Sequence, residues 1–229
     1  MTGPLTTTTS EALRDECRDV WQSVLEHPFV RELAAATLPL EKFRFFIEQD
    51  LLFLEDSARA IGFAVGRADT EAALRLLADE LQILVGREIA SERELLRRVH
   101  ELVGTDDGGS VTPAPTTLAY GSFLVATAAR GDALDLMAAF MPCAWSYADI
   151  GLAYAPDAAE HPLYADWLRF FGGGEYVHSI AERRAVLDRH TLGVSPARRR
   201  RLSELFTLGT RLELAFWEMA YAGLAREER

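Results

Sequence analysis

The chain has 229 residues, 35 acidic against 24 basic, and its net charge of −11 excludes electrostatic capture of nucleic acid or anionic lipid as its main business. Hydrophobic residues at 49% and charged residues at 26% are the proportions of a soluble globular domain, which excludes disordered and collagen-like classes. The length suits one domain, and two cysteines permit at most one bridge in a chain able to bury a core without it, so a reduced, cytoplasmic setting is expected.

Residues 1–10 are polar and threonine-rich, without the basic and apolar regions of a signal peptide, and are expected to be a flexible lead-in to one helical domain over 11–226. No apolar run approaches the roughly 18 residues of a membrane span. Ser10 is a good N-cap for a helix over 11–26, in which Leu13, Cys17, Val20, Trp21, Val24 and Leu25 fall at helical spacings. His27-Pro28 ends it, because the residue before proline is biased away from the α region. Long helices are predicted over 40–67 and 70–103. Gly, Asp, Ser and Pro then cluster in a loop over 104–115. A helix over 116–129 stops at Arg130-Gly131 in the manner of a glycine C-cap, and Asp132 opens the next, which runs to about Tyr154. Helices over 162–171, 175–191 and 196–226 complete the series. Gly172 to Gly174 and Gly193-Val194-Ser195 separate them, and Ser195-Pro196 forms an N-cap and N1 pair. With no strand run, repeat or low-complexity tract, the expectation is an all-α, single-domain bundle around an interior pocket.

Chemistry is sought where an ionisable residue shares a helical face with apolar neighbours three, four or seven apart. Asp50 lies among Phe43, Phe46, Ile47, Phe53 and Leu54, so it either faces a cavity or serves as a cap or ion pair to another element. Glu213 lies among Phe206, Gly209, Thr210, Phe216, Trp217 and Ala220. It reads either as a general acid/base with raised pKa or as a buried partner of a distant arginine. Glu204, near Arg200 and Arg201, reads as solvated, and so does the run Arg198 to Arg201. Cys143 shares its side of the helix with Leu136, Ala139, Phe140, Tyr147 and Ile150. A free cysteine is ordinarily a small buried hydrophobe, but Pro142 could open the helix there and Tyr147 brings a phenol beside the thiol. Cys17 has no such company and reads as packing. His27, His100, His161, His178 and His190 are scattered without metal-ligand spacing, and no P-loop or nucleophile motif is found, so neither metal nor cofactor is expected.

His27-Pro28-Phe29-Val30, Lys42 to Phe46 with Gln49-Asp50, Ala119-Tyr120, Pro142 to Gly151, His161 to Tyr164 and Arg211 to Tyr221 together resemble the TenA/thiaminase II family. The resemblance covers about 21–222, and its P-C-x-W-x-Y-x-D-I-G and E-x-x-F-W-x-M-A-Y stretches are its most specific parts. It implies a haem-oxygenase-like bundle without haem, usually a homotetramer, that hydrolyses aminopyrimidines in thiamin salvage and often cleaves thiamin. By motif, Cys143 is implied as the nucleophile that adds to the ring, and Glu213 as the acid/base. Asp50 is implied to hold the ring's amino group and a nitrogen, with Tyr120 and Tyr147 lining the site.

Two positions depart from that pattern. Phe53 and Phe171 stand where the family usually carries tyrosines, keeping the ring and deleting the hydroxyl. If both line the pocket, either a less polar or differently substituted pyrimidine is taken or activity is weak. The alternative reading is a divergent relative that acts on or binds another small aromatic molecule. A regulatory protein, or a haem or metal protein using His27, is a third, against which the −11 charge weighs.

Overall fold

The computed structural model describes residues 7–68, 70–104 and 111–223, and every regular element among them is helical. The first, α1 (Thr9–Glu16), starts at a capping box: the Thr8 side chain accepts the Glu11 backbone N–H, and Glu11 accepts that of Thr8. That start precedes the expected cap. Ser10 instead lies inside the helix, fully buried, donating its N–H and hydroxyl to Asp188. Residues 1–6 of the expected lead-in lie outside the described residues.

The helix expected over 11–26 is two, α1 and α2 (Arg18–Leu25), parted at Cys17, whose φ of −119° leaves the helical region. As expected, Cys17 is packing: it is buried, with Sγ 3.5 Å from the Thr210 hydroxyl. Beyond the stop at His27 comes an unanticipated short helix, α3 (Pro28–Ala34). Pro28 opens it, and His27 caps it by accepting the Phe29 N–H on Nδ1 at 3.1 Å, so that ring nitrogen is already used.

Next come α4 (Leu40–Val65) and α5 (Glu71–Ile83). The stretch expected as one helix over 70–103 is interrupted by a π-helical turn, Leu84–Glu88, before α6 (Ile89–Val103). The buried stripe gives the reason. Leu77, Leu84, Ile89, Glu92, Leu95 and Val99 all face inward, and the five-residue step from Leu84 to Ile89 needs an i→i+5 turn to stay in register. Of the loop expected over 104–115, residues 105–110 lie outside the described residues, as do 224–226 of the last helix.

The remaining helices are α7 (Pro115–Arg130), α8 (Ala133–Tyr154), α9 (Tyr164–Gly172), α10 (Gly174–His190) and α11 (Pro196–Ala222). The principal packings are α4 on α7 and α8 on α11, with α9 across α8. Pro142 does not open α8, which continues through it. By length and composition Ala133–Asp157 could cross a membrane, contrary to expectation, but 72% of its most apolar window is buried in the protein. Its apolarity belongs to the core.

The arginine run at the start of α11 is not wholly the solvated face expected. Arg198 and Arg201 reach the buried Asp135 carboxylate at 2.6 and 2.9 Å, clamping α11 to the start of α8. Against burial, which acts upward, those guanidiniums hold the Asp135 pKa below the usual range. Glu204 is exposed, as expected. The centre is aromatic: Phe46 and Tyr147 stack on Trp217 with centroids 5.0 and 5.5 Å apart, and Trp167 meets Tyr147 at 5.4 Å. Each such ring contributes about 2–3 kcal/mol by burial, which makes a stiff wall behind the pocket.

Candidate active site

The two helices that carry Cys143 and Glu213 meet backbone to backbone at Gly209. A Cβ built there would stand 2.5 Å from the Ala139 carbonyl oxygen and 3.1 Å from Pro142 Cγ. Only a residue without a side chain lets α11 come this close to α8, and that approach sets Glu213, one turn further along, against the Cys143 thiol. Gly209→Ala should therefore invert the usual helical benefit of alanine. We expect it to lower Tm by about 5 °C and turnover by about tenfold or more, read by a thermal melt and an activity assay. A rise in Tm would show that the helices are not held this tightly.

Glu213 is 2% exposed, and the Tyr120 hydroxyl donates to its Oε1 at 2.6 Å. The Cys143 thiol faces the same carboxyl. Burial pushes the Glu213 pKa up to about 7, while hydrogen bonding from Tyr120 and Cys143 restrains the rise. No arginine or lysine pairs with it among the described residues, so the distant-arginine alternative has no partner here. The Cys143 thiol lies well above its ordinary value, chiefly through burial and further through the negative charges of Glu213, Asp50 and Glu88. A thiol so placed stays protonated until something takes its proton, and Glu213 is beside it.

Asp50 shares a cavity with Cys143, Tyr147 and Phe171, a space of about 360 Å³ counted to its open mouth. Asp50 is 5% exposed, and its carboxyl has neither capping duty nor an ion-pair partner among the described residues. Burial, then Glu92, Glu213 and Glu88, raise its pKa well above the carboxylate range. Phe171 lines this space directly, with its ring edge-on to Tyr147 at 4.9 Å. Phe53 lies one layer back, packed on the Tyr120 ring at 4.5 Å, where it fixes the phenol that holds Glu213.

Three further titratable groups reach the cavity that the sequence did not single out: Glu88 on the π turn, Glu92 on α6 and Tyr176 on α10. Tyr176 sits edge-on to Phe171 at 5.0 Å and donates to the Ala144 carbonyl at 3.3 Å. Glu88 leans toward Arg183 at 4.0 Å, and Arg183 is held by Glu80 at 2.9 Å. Although several carboxyls converge, no three His, Cys, Asp or Glu side chains among the described residues stand close enough to share a metal ion.

An all-α bundle closing on a buried thiol, a phenol-bound carboxyl and an acidic, aromatic-walled cavity is a small-molecule pocket of the enzyme kind. The chain belongs to the TENA/THI-4/PQQC family, whose profile matches residues 14–223. It is 32% identical to the aminopyrimidine aminohydrolase of Halalkalibacterium halodurans, over 92% of this chain and 94% of that one. It is 29% identical to the enzyme of the same name from Helicobacter pylori, over 93% and 98%. A solved structure from Silicibacter sp. TM1040, described as a TenA family transcription regulator, superposes with a TM-score of 0.84 at 30% identity, covering 93% of this chain and 96% of that one.

Proposed function

We propose that this chain hydrolyses aminopyrimidines such as 4-amino-5-aminomethyl-2-methylpyrimidine to the hydroxymethylpyrimidine and ammonia, the thiaminase II type of reaction in thiamin salvage, without a cofactor. The observation that carries this reading is the thiol of Cys143 facing a carboxyl that Tyr120 holds at 2.6 Å. The two relatives named for that activity match nearly end to end.

Asp50 holds the ring's amino group and the adjacent ring nitrogen. Glu213 takes the Cys143 proton and passes it to a ring nitrogen as the sulfur adds to a ring carbon. That addition ends the ring's aromaticity, and an electron pair moves toward the exocyclic carbon, breaking its C–N bond so that the already protonated amine departs with the bonding pair as ammonia. Water, giving a proton to Glu213, adds at that carbon; the sulfur then leaves, recovering the ring nitrogen's proton as a thiol, the aromatic ring returns, and Glu213 gives its proton up to solvent. Amine plus water has become alcohol plus ammonia. Tyr120 keeps Glu213 oriented throughout, and Tyr147 with the Phe and Trp wall excludes bulk water, which strengthens each charge interaction.

A differently substituted pyrimidine is the second reading, and Phe171 in the cavity wall favours it. A regulatory role of the kind named for the Silicibacter protein would require nucleic acid to approach a chain of net charge −11. We further infer a cytoplasmic homotetramer. The two free cysteines and exposed Leu118, Leu152, Phe63 and Leu192 on one chain support it, and light scattering tests it.

The native chain should convert the aminomethylpyrimidine to the alcohol with one ammonia per product, read by coupled ammonia assay and mass spectrometry. Failure to turn over either this compound or thiamin would overturn the proposal.

A further inference from the structure

Glu92 is the least explained group in the pocket. It is 6% exposed, faces the same cavity as Cys143 and Asp50, and its Oε2 has no hydrogen-bond partner among the described residues. No lysine or arginine pairs with it among them either. The buried Trp167 indole N–H is a neighbouring donor that restrains the rise burial gives the Glu92 pKa, but it falls short of hydrogen-bond geometry and leaves Oε2 without a partner. An unpaired buried carboxyl is a standing penalty on folding, so its retention in a cavity points to a ligand that supplies the missing partner.

The position of Glu92 says what that ligand group is. A second, outer cavity of about 530 Å³, counted to its mouth, is lined by Glu94, Arg98, Asp166 and Trp167. It shares Ser91, Glu92, Phe170 and Phe171 with the inner one, so Glu92 stands where the two cavities meet. Among the described residues Arg98 is the only cation lining the outer space, and it is occupied by Asp166 at 3.1 Å. Glu88, one helical turn before Glu92, lines the inner cavity and adds a second carboxyl on the same side. Phe170 and Phe171 present aromatic rings at the junction, and a ring face attracts a cation. The junction is acidic and aromatic, without a free positive group among the described residues, and it matches a small ammonium.

Resting on the reading above, we propose that Glu92, supported by Glu88, is a specificity residue that holds the protonated amine of the substrate's departing substituent, at the mouth through which the released amine leaves. Whichever partner brings the proton, the bound pair is carboxylate and ammonium. The site thereby favours a cationic leaving group over the neutral alcohol of the product, and release follows once the C–N bond is broken.

The test uses the full chain made inactive by Cys143→Ala, with and without Glu92→Gln, titrated by calorimetry with the aminomethylpyrimidine and with the hydroxymethylpyrimidine. Glu92→Gln should weaken the amine about tenfold or more and the alcohol less than about twofold, since only the amine loses a charge-assisted bond. Glu92→Asp should restore part of the preference. In the Cys143-intact chain, Glu92→Gln should raise KM for the amine more than it lowers kcat. If the amine-to-alcohol ratio is unchanged while the native chain still releases ammonia, this role for Glu92 is wrong and the function stands. If the native chain binds neither compound, the function itself fails and this role falls with it. Should Glu92→Gln not fold, Glu88→Gln must move the same ratio in the same direction by a smaller factor, and an unmoved ratio overturns the proposal.

Discussion

Replacing Cys143 with serine is expected to reduce ammonia release by about a thousandfold or more, some 4 kcal/mol of transition-state stabilisation, while shifting Tm by no more than about 2 °C. The two readouts separate the competing accounts of this residue. A packing thiol, buried as Cys143 is, would report its loss through stability alone. A nucleophile reports it through rate, because a serine hydroxyl in the same place is far harder to deprotonate. The electrostatics add a second expectation. Every charged group that shifts this thiol is an acid (Glu213, Asp50, Glu88), and burial acts in the same direction, so a thiolate does not form in the empty pocket at neutral pH. A bound ring must first offer a nitrogen to which Glu213 can pass the thiol proton, and any positive charge on the ligand favours the same step. Iodoacetamide should therefore label Cys143 in the empty protein more slowly than an exposed thiol, and a cationic pyrimidine analogue that leaves the thiol open should hasten it. Unimpaired ammonia release by the Cys143→Ser chain would remove this residue from the mechanism.

The apolar-face test explains why part of the site was legible in the sequence and part was not. Asp50, Cys143 and Glu213 each sit in a run of apolar neighbours at helical spacing, and all three are buried and converge within the bundle. Helix ends marked by local chemistry also read true: Ser195-Pro196 opens α11, and Gly104, at φ 70°, ends α6 in the left-handed region that glycine favours. The break at Cys17 has neither glycine nor proline to announce it. The π turn answers a mismatch in the buried stripe that only tertiary packing exposes. Glu92 was hidden by its neighbours: Arg87, Glu88, Arg93 and Glu94 make the segment look like a solvated face. Yet Ile89, Leu95, Leu96 and Val99 stand at the same three, four and seven spacings that singled out Asp50, so the signal was present beneath the charges. The clamp of Arg198 and Arg201 on Asp135 joins positions more than sixty residues apart, and no local pattern carries such a pairing.

Glu213→Gln is the second large expectation, and it couples activity to stability through pH. The glutamine amide would keep an oxygen for the Tyr120 hydroxyl while losing the ability to take or give a proton, so activity should fall by about two to four orders of magnitude. In the native chain, kcat/KM should rise with pH through an apparent pKa near 7, because Glu213 must be ionised to accept the thiol proton. The variant's residual rate should lack that limb. The same group destabilises the fold at alkaline pH. Its pKa is 4.5 in a solvated chain and about 7 when folded, so the folded state holds its proton more tightly. The resulting stability is fully present below pH 4.5 and disappears as pH rises through 7, a difference of about 3 kcal/mol between those limits. A neutral amide would not carry that penalty. Relative to the native chain, the variant should therefore gain stability between pH 5 and pH 8, measured by denaturant unfolding at both values. A dead enzyme that is comparatively more stable at pH 8 is the signature of a carboxyl kept in an unfavourable place for its chemistry. A variant that loses activity and destabilises equally at both pH values would mean that Glu213 only fills space.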